Sequence, residues 1–389
     1  MKKVLAITGI RSEYFILKPV ISALKESGKF DVKIAVSCAH LSEWHGNTEQ
    51  IIEQDGFEIC DRIDSLFMTN RVTQRAKGTG ILTYALSQTV EREKPDFLLV
   101  VGDREEPLAT AIIGNYMDVL TAHIGGGDPV YGNADDPVRF AVSKLAHIHF
   151  ATAKQYAKNI VKLGEEDFRV FQTGNPALDS IRKTPHIIWE KVLRGIAWPG
   201  LEKQKYIVFI KHPLSSEKSS SYEQMKISLK ASIEFARKNN LKIVGIYPNT
   251  DPGAYDILRA IEEVKAPQII RFFKTLPQEI FVNVLRNALA LVGNSSMGIL
   301  EAPFYKLPVV NIGKRQQGRL NAGQVEFVDY REEEISSAIE KACFDKEYRE
   351  YVSEIENPFG DGYAGERITE ILSDIGPKDK KWLVKKKLI

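Results

Sequence analysis

At 389 residues the chain is too long for a single hydrophobic core and suits two domains of ordinary size. A hydrophobic share of 43% with 27% charged residues fits water-soluble α/β domains, and no stretch has the unbroken apolar length of a membrane helix. A formal charge of +2 argues against a nucleic-acid partner, and three scattered cysteines argue against zinc and for free thiols in a reducing cytoplasm. Met1-Lys2-Lys3 leads straight into an apolar run of strand length, without the longer apolar region and cleavage site of a signal peptide. The one basic cluster, residues 378–387, reads as a solvated tail.

In chain order, residues 4–8 predict a first strand, followed by the loop Gly9-Ile10-Arg11-Ser12-Glu13 and a helix from Tyr14 with apolar residues at 3.6-residue spacing. Strands are predicted over 32–37 and from 57, and a long amphipathic helix over 72–93. The charged run 68–77 reads either as a loop over a site or as a surface for pairing two copies of the chain. The apolar runs 97–101 and 120–124 predict parallel strands buried on both faces, each ending on glycine beside an acid. A strand over 148–152, a helix over 153–163 and a strand over 170–172 complete about six or seven βα repeats. Residues 184–205, with Pro185, Pro199 and Gly200, mark a linker.

A second α/β series follows. Strands are predicted over 206–210, 242–247, 269–272, 289–292 and 309–312, and helices over 222–237, 278–286 and 298–304. Charge-rich helices are expected from Arg331. The reading is therefore α/β, with two Rossmann-like domains facing a cleft. The first comprises residues 1–183, joined by 366–389 as a returning helix, and the second 184–365.

Ligands of open parallel sheets sit beyond the carboxyl ends of the strands, so the loops there carry the candidate chemistry. In the first domain these are Asp103 and Arg104 after one strand, then Asp128, Asp135, Asp136 and Arg139 after the next. Carboxylates sharing a cleft raise one another's pKa and prepare one for proton transfer, while arginines keep others ionised. An Asp-rich magnesium site is the competing idea, and the neighbouring cations disfavour it. Arg11 stands where a helix N-terminus and a guanidinium would favour an anion, the alternative being an ion pair with Glu13. His123 ends its strand one turn before the glycine run and could face the cleft.

In the second domain Gly293-Asn294-Ser295-Ser296 offers small residues and hydroxyls for phosphate oxygens. Glu301, one turn on, could accept from a ribose diol. Lys314, Arg315 and Arg319 add positive charge. His212, between a strand and Pro213, could steady a diphosphate or move a proton, and a purely structural histidine is equally compatible with that position. His147 and His149 read as packing or surface residues.

Taken in order, these pieces resemble the UDP-N-acetylglucosamine 2-epimerase family, and more closely its hydrolysing branch, which forms N-acetylmannosamine or related sugars for sialic-acid-like nonulosonates. The matching residues are the Gly9–Glu13 loop, Gly102-Asp103-Arg104, His123-Ile124 with its glycines, and Asp135-Asp136-Pro137-Val138-Arg139 with AVSKLAHIHF. The second half adds Lys211-His212-Pro213, Tyr247-Pro248-Asn249-Thr250-Asp251, Gly293-Asn294-Ser295-Ser296, the run 313–316 and Phe359-Gly360-Asp361-Gly362.

The resemblance implies a GT-B-like, usually dimeric, cytoplasmic enzyme that closes over a nucleotide sugar and needs neither metal nor nicotinamide. It implies catalytic roles for Asp103, Asp135, Arg139 and His212, diphosphate contacts for Arg11, Ser295, Ser296 and Arg315, and a ribose contact for Glu301. Glu13, Arg104, His123 and Asn294 are expected on the substrate side of the same loops. One departure stands out: the family usually carries a glutamate two residues after the histidine, where this chain has Gly125. Asp128 matches a later acid of the hydrolysing branch, one carbon shorter. The expected reaction converts a UDP- (or GDP-) N-acetylhexosamine to the free 2-epimeric sugar and nucleoside diphosphate through a glycal-like intermediate. The alternatives are a non-hydrolysing 2-epimerase, a GT-B glycosyltransferase, and a nucleotide-sugar-binding protein without turnover.

Overall fold

The computed structural model describes residues 1–68, 73–129, 135–248 and 253–385, and the side chain of Asp135 lies outside that description. The chain divides into two compact units, Met1–Ser180 with Phe359–Ile389, and Ile181–Pro358.

Unit 1 is built on β1 (Lys2–Thr8), β2 (Phe30–Ser37), β3 (Glu58–Ile63), β4 (Phe97–Val101), β5 (Leu120–Ile124), β6 (Ile148–Ala151) and β7 (Val170–Gln172), hydrogen-bonded in the order β3-β2-β1-β4-β5-β6-β7. All the pairings are parallel. The apolar runs are continuous rather than alternating because both sheet faces are covered. Phe97, Leu99 and Val101 enter the core layer that holds Leu17, Val20 and Ile21, while Leu98 and Val100 enter the opposite layer with Leu82 and Leu86. Between β1 and β4 the strand order reverses direction, the place where doubly wound sheets open a ligand crevice.

Unit 2 repeats the design with β8 (Tyr206–Ile210), β9 (Lys242–Ile246), β10 (Ile270–Phe273), β11 (Leu291–Gly293), β12 (Val309–Ile312) and β13 (Val325–Val328), in the order β10-β9-β8-β11-β12-β13. Ile207 and Phe209 face one core layer and Tyr206, Val208 and Ile210 the other. Its reversal lies between β8 and β11. The edge strand β13 has no counterpart among the predicted elements: its four residues include Glu326, and none is fully buried.

The returning segment is sewn onto unit 1. The backbone N–H groups of Ala364 and Gly365 donate to the two carboxylate oxygens of buried Asp179 at 3.0 and 2.7 Å, capping the helix Ala364–Asp374. Ile368, Leu372 and Ile375 of this segment join the core beside the first helix, Arg11–Glu26. The lysine-rich end differs from the expected solvated tail. Trp382 is buried, and the fully buried Arg169 donates to the carbonyls of Lys381, Trp382 and Val384 at 2.7 to 2.9 Å. Lys385 donates to the Lys144 and Ala146 carbonyls and pairs with Glu165 at 2.7 Å. The composition of this stretch is solvated, but one tryptophan and a guanidinium aimed at its carbonyls override that.

Removing that guanidinium leaves several carbonyls and Glu166 without their donor. Arg169→Met should lower unfolding free energy by roughly 3 kcal/mol. Denaturant titration reads the loss, and faster tryptic cleavage after Lys380 or Lys381 should accompany it.

Candidate active-site loops

In unit 1 the decisive geometry lies beyond β4 and β5. These strands run in matched register from Phe97 opposite Leu120 to Val101 opposite Ile124, so their exits emerge side by side. The Gly102 N–H donates to the Ile124 carbonyl at 3.0 Å and the Gly125 N–H to the Phe150 carbonyl at 3.0 Å. Asp103 follows directly. One turn into the helix Asp135–Leu145, Arg139 returns over both exits: it is bonded to Asp103, lies 3.2 Å from Asp128, and donates to the Gly125 carbonyl at 3.3 Å. Two acids from separate loops thus meet one largely buried guanidinium. Burial opposes its charge, but Asp103 and Asp128 more than offset this and raise the Arg139 pKa above its ordinary value.

Arg104 and Glu13 turn to a second cluster. Arg104 lies 3.9 Å from Glu13, 3.7 Å from Glu105 and 3.7 Å from the fully buried Glu106. Burial, then Glu106, holds the Glu13 carboxyl well above the usual range, with Arg104 and the Gly9 N–H pulling the other way. Sequence reasoning did not single out Glu106, although the acid run directly after a strand exit was its signal. Beside this cluster opens a cavity of about 230 Å³, lined in part by Cys38, Ser65, Phe67, Arg75 and Glu105. Arg11 is the first residue of its helix and exposed, its guanidinium 5.1 Å above the Phe15 ring.

The histidines of unit 1 are interior groups. His123 is fully buried, with Nε2 at 2.8 Å from the Gly102 carbonyl and Nδ1 at 3.5 Å from Ser143 Oγ. His147 Nδ1 accepts from the Thr121 N–H at 3.1 Å, and His149 Nε2 lies 3.3 Å from Glu165. His40, for which the sequence offers no partner, sits between the Thr8 and Thr48 hydroxyls at 3.0 and 2.8 Å.

In unit 2 the equivalent strand exits are drawn together by Asn294. Its side chain accepts from the His212 N–H at 2.7 Å and donates to the His212 carbonyl at 2.9 Å. Its own carbonyl receives Arg315 at 3.2 Å and Gln316 at 3.1 Å. One buried amide therefore ties the loops after β8, β11 and β12. Ser295 and Ser296 stay half-buried before the short helix Met297–Leu300. Burial pushes Glu301, at the end of that helix, up to about 7. His212 is pulled down to about 3 by burial, then by Arg315 and Lys211. The amine of Lys211, fully buried and 5.0 Å over the Tyr330 ring, is drawn down to about 8, again by burial first. Among the described residues no three histidine, cysteine or acidic side chains are grouped as a metal set, and no helix is long and apolar enough to cross a membrane. The motif segment 249–251 lies outside the described residues.

Paired acids over one arginine, at the exits of one doubly wound sheet, and cationic loops at the exits of a second sheet invite comparison with known proteins. The family model for UDP-N-acetylglucosamine 2-epimerase matches residues 22–373. The chain belongs to that family. A UDP-N,N'-diacetylbacillosamine 2-epimerase of the hydrolysing type from Legionella pneumophila is 32% identical over 96% of both chains. A hydrolysing GDP/UDP-N,N'-diacetylbacillosamine 2-epimerase from Campylobacter jejuni is 29% identical over 87% of both. The UDP-GlcNAc 2-epimerase of Neisseria meningitidis, solved with UDP-GlcNAc bound, superimposes with a TM-score of 0.79 at 22% identity, covering 95% of this chain and 99% of the other. The 2-epimerase fold of two parallel α/β units is thus shared along nearly the full length.

Within this 2-epimerase, Asn294 is the residue whose loss should be most legible structurally. Asn294→Ala removes the paired amide bonds to His212 and leaves a buried N–H and carbonyl unmet, at a cost of about 2 to 4 kcal/mol. A melting-temperature drop of several degrees, against a near-silent Lys314→Ala control on the exposed rim, is the expected readout.

Proposed function

We propose that the protein is a hydrolysing nucleotide-sugar 2-epimerase that takes a UDP-linked, or GDP-linked, N-acetylhexosamine with water to the free 2-epimeric sugar and the nucleoside diphosphate. The observation that carries this reading is the single guanidinium of Arg139 engaging Asp103 and Asp128 at neighbouring strand exits of a 2-epimerase. In the proposed reaction a carboxylate removes the proton on C2 while the C1–O bond to the diphosphate breaks, and the C–H electron pair becomes the C1–C2 double bond. Water then adds its oxygen at C1 and a proton arrives on the opposite face of C2. That sequence needs one acid ionised as base and a second group able to return a proton, both held beside the ring.

We assign Asp103 and Asp128 to these proton transfers, with Arg139 holding them in place. Asp135 and His212 enter on the sequence resemblance. The unit 2 loops supply the nucleotide contacts: Ser295, Ser296 and Arg315 to the diphosphate and Glu301 to the ribose, while Arg11 enters on the sequence resemblance. Cations gathered there favour the leaving diphosphate without a metal. The names of the relatives make a 2,4-diacetamido sugar the first substrate to try. The reading includes a cytoplasmic homodimer. It is supported by three free cysteines and by exposed Ile81 and Tyr84 on the helix Thr73–Glu93, and sedimentation velocity tests it.

NMR in deuterated water with UDP-aminosugars should show deuterium at C2 of a released, inverted sugar. Release of intact nucleotide sugar, or of a glycoside only when an acceptor is added, would replace this reading by a non-hydrolysing epimerase or a glycosyltransferase. Asp103→Asn should bind UDP normally while slowing C2 exchange at least a hundredfold.

Glu301 makes a separate prediction. Its pKa is raised to about 7, and ribose hydroxyls donate to the ionised form, so binding is linked to loss of a proton. UDP affinity should therefore strengthen about tenfold from pH 6 to pH 8. Glu301→Gln should flatten that part of the profile in calorimetric titrations, and an unchanged slope would remove Glu301 from the ribose.

A further inference from the structure

The Gly102 carbonyl belongs to the peptide plane that carries the Asp103 nitrogen, so whatever holds that carbonyl also sets the direction in which Asp103 leaves the strand. Its holder is His123. A carbonyl can only accept, so at 2.8 Å the Nε2 of His123 bears the proton, and Nδ1 is the unprotonated nitrogen of a neutral ring. On the Nδ1 side stands the Ser143 hydroxyl, 3.5 Å away and 3.0 Å from the carbonyl of Arg139. The Gly102 N–H is already bonded to the Ile124 carbonyl at 3.0 Å, so both polar groups of the residue before Asp103 are tied to β5.

Space around the ring is matched to this task. A Cβ built on Gly126 would lie 2.7 Å from Ser143 Oγ and 3.1 Å from His123 Nδ1, so any larger residue would press on the imidazole. The ring itself has no exposure, which bars it from touching a sugar or nucleotide. Burial also draws its pKa down to about 3, leaving it an N–H donor throughout the neutral range.

We infer that His123 is a positioning residue, whose Nε2–H fixes the Gly102–Asp103 peptide and so keeps the Asp103 carboxylate on Arg139, in place of the substrate contact expected from its position in the sequence. The inference rests on the proposed role of Asp103 in proton transfer. It differs from a packing role in needing a donor at one place on the ring.

The test compares His123→Gln, His123→Leu and Asp103→Asn with the wild-type protein, using C2 deuterium exchange and UDP titration. Glutamine keeps an amide N–H at about the reach of Nε2, whereas leucine keeps bulk and loses the donor. His123→Leu should slow exchange about 100-fold, the size expected when a reacting group is displaced by about an ångström. UDP affinity and sugar-nucleotide KM should stay within threefold of wild type, and His123→Gln should recover at least tenfold of the lost rate. If the leucine variant does not fold, Gly126→Ala, which pushes on the ring without removing it, should give the same fall in kcat at unchanged KM. Full exchange activity in His123→Leu beside an inactive Asp103→Asn would overturn the role of His123 alone. So would equal losses in the leucine and glutamine variants. Wild-type exchange in Asp103→Asn would instead remove Asp103 from the chemistry, and with it the purpose assigned to His123.

Discussion

The first unit depends on one guanidinium being shared. Two like charges about 4 Å apart repel by about 4 kcal/mol at an effective dielectric near 20, so two acids at neighbouring strand exits need a cation between them. Arg139 is that cation. It reaches Asp103 and Asp128 and spends a further N–H on the Gly125 carbonyl, so its charge and its geometry are both used. The demand propagates outward. The helix Asp135–Leu145 must return over both strand exits, β4 and β5 must end in step, and the two loops must be tight enough for a single side chain to span them. Breaking such a set by removing one partner costs more than the set contributes, because the remaining charges stay buried.

The second unit is organised by the opposite sign. Lys211, His212 and Arg315 gather at its strand exits, and burial with mutual repulsion draws the lysine and histidine pKa values down. Glu217 acts in the other direction on Lys211. The loops thus keep Lys211 and Arg315 within electrostatic reach of one another. Asn294 makes this possible without a charge of its own: its amide ties the His212 backbone, and its carbonyl receives Arg315 and Gln316. A neutral clamp ties the loops together without neutralising their cations, as a carboxylate would.

Much of this was legible in the sequence, for a physical reason. A parallel strand covered on both faces must be apolar throughout, so runs such as 97–101 and 206–210 announce themselves, and glycine or acid at their ends marks the exits. Direction of side chains was not legible. Asp103 and Asp128 are separated by a helix and a strand, and nothing in their spacing says that Arg139 will meet both. His123 stood at the right strand end for a ligand contact, but parity along β5 turns it inward to the Gly102 carbonyl. Glu13 and Arg104 likewise face each other and the buried Glu106. The tail after residue 378 read as solvent-facing because lysines dominate it, and the burial of Trp382 by partners more than 200 residues away has no local signature. Short β13 escaped prediction because four residues interrupted by Glu326 make too brief a run, and an edge strand is held by backbone bonds to its neighbour as much as by burial.

The absence of the family's usual glutamate at position 125 finds a structural account in the same loops. Gly125 adopts φ +81°, a left-handed conformation that costs a residue with a side chain about 1 to 2 kcal/mol. With glycine there the loop turns sharply enough for its carbonyl to receive Arg139. Three residues later Asp128, which is largely buried, faces the same guanidinium. An acid at 125 would hang from a strand end, whereas one at 128 stands at the far side of the glycine turn, so a side chain shorter by one carbon than glutamate reaches the arginine. At these strand exits the negative charges that meet Arg139 are therefore those of Asp103 and Asp128, presented by two loops of different backbone.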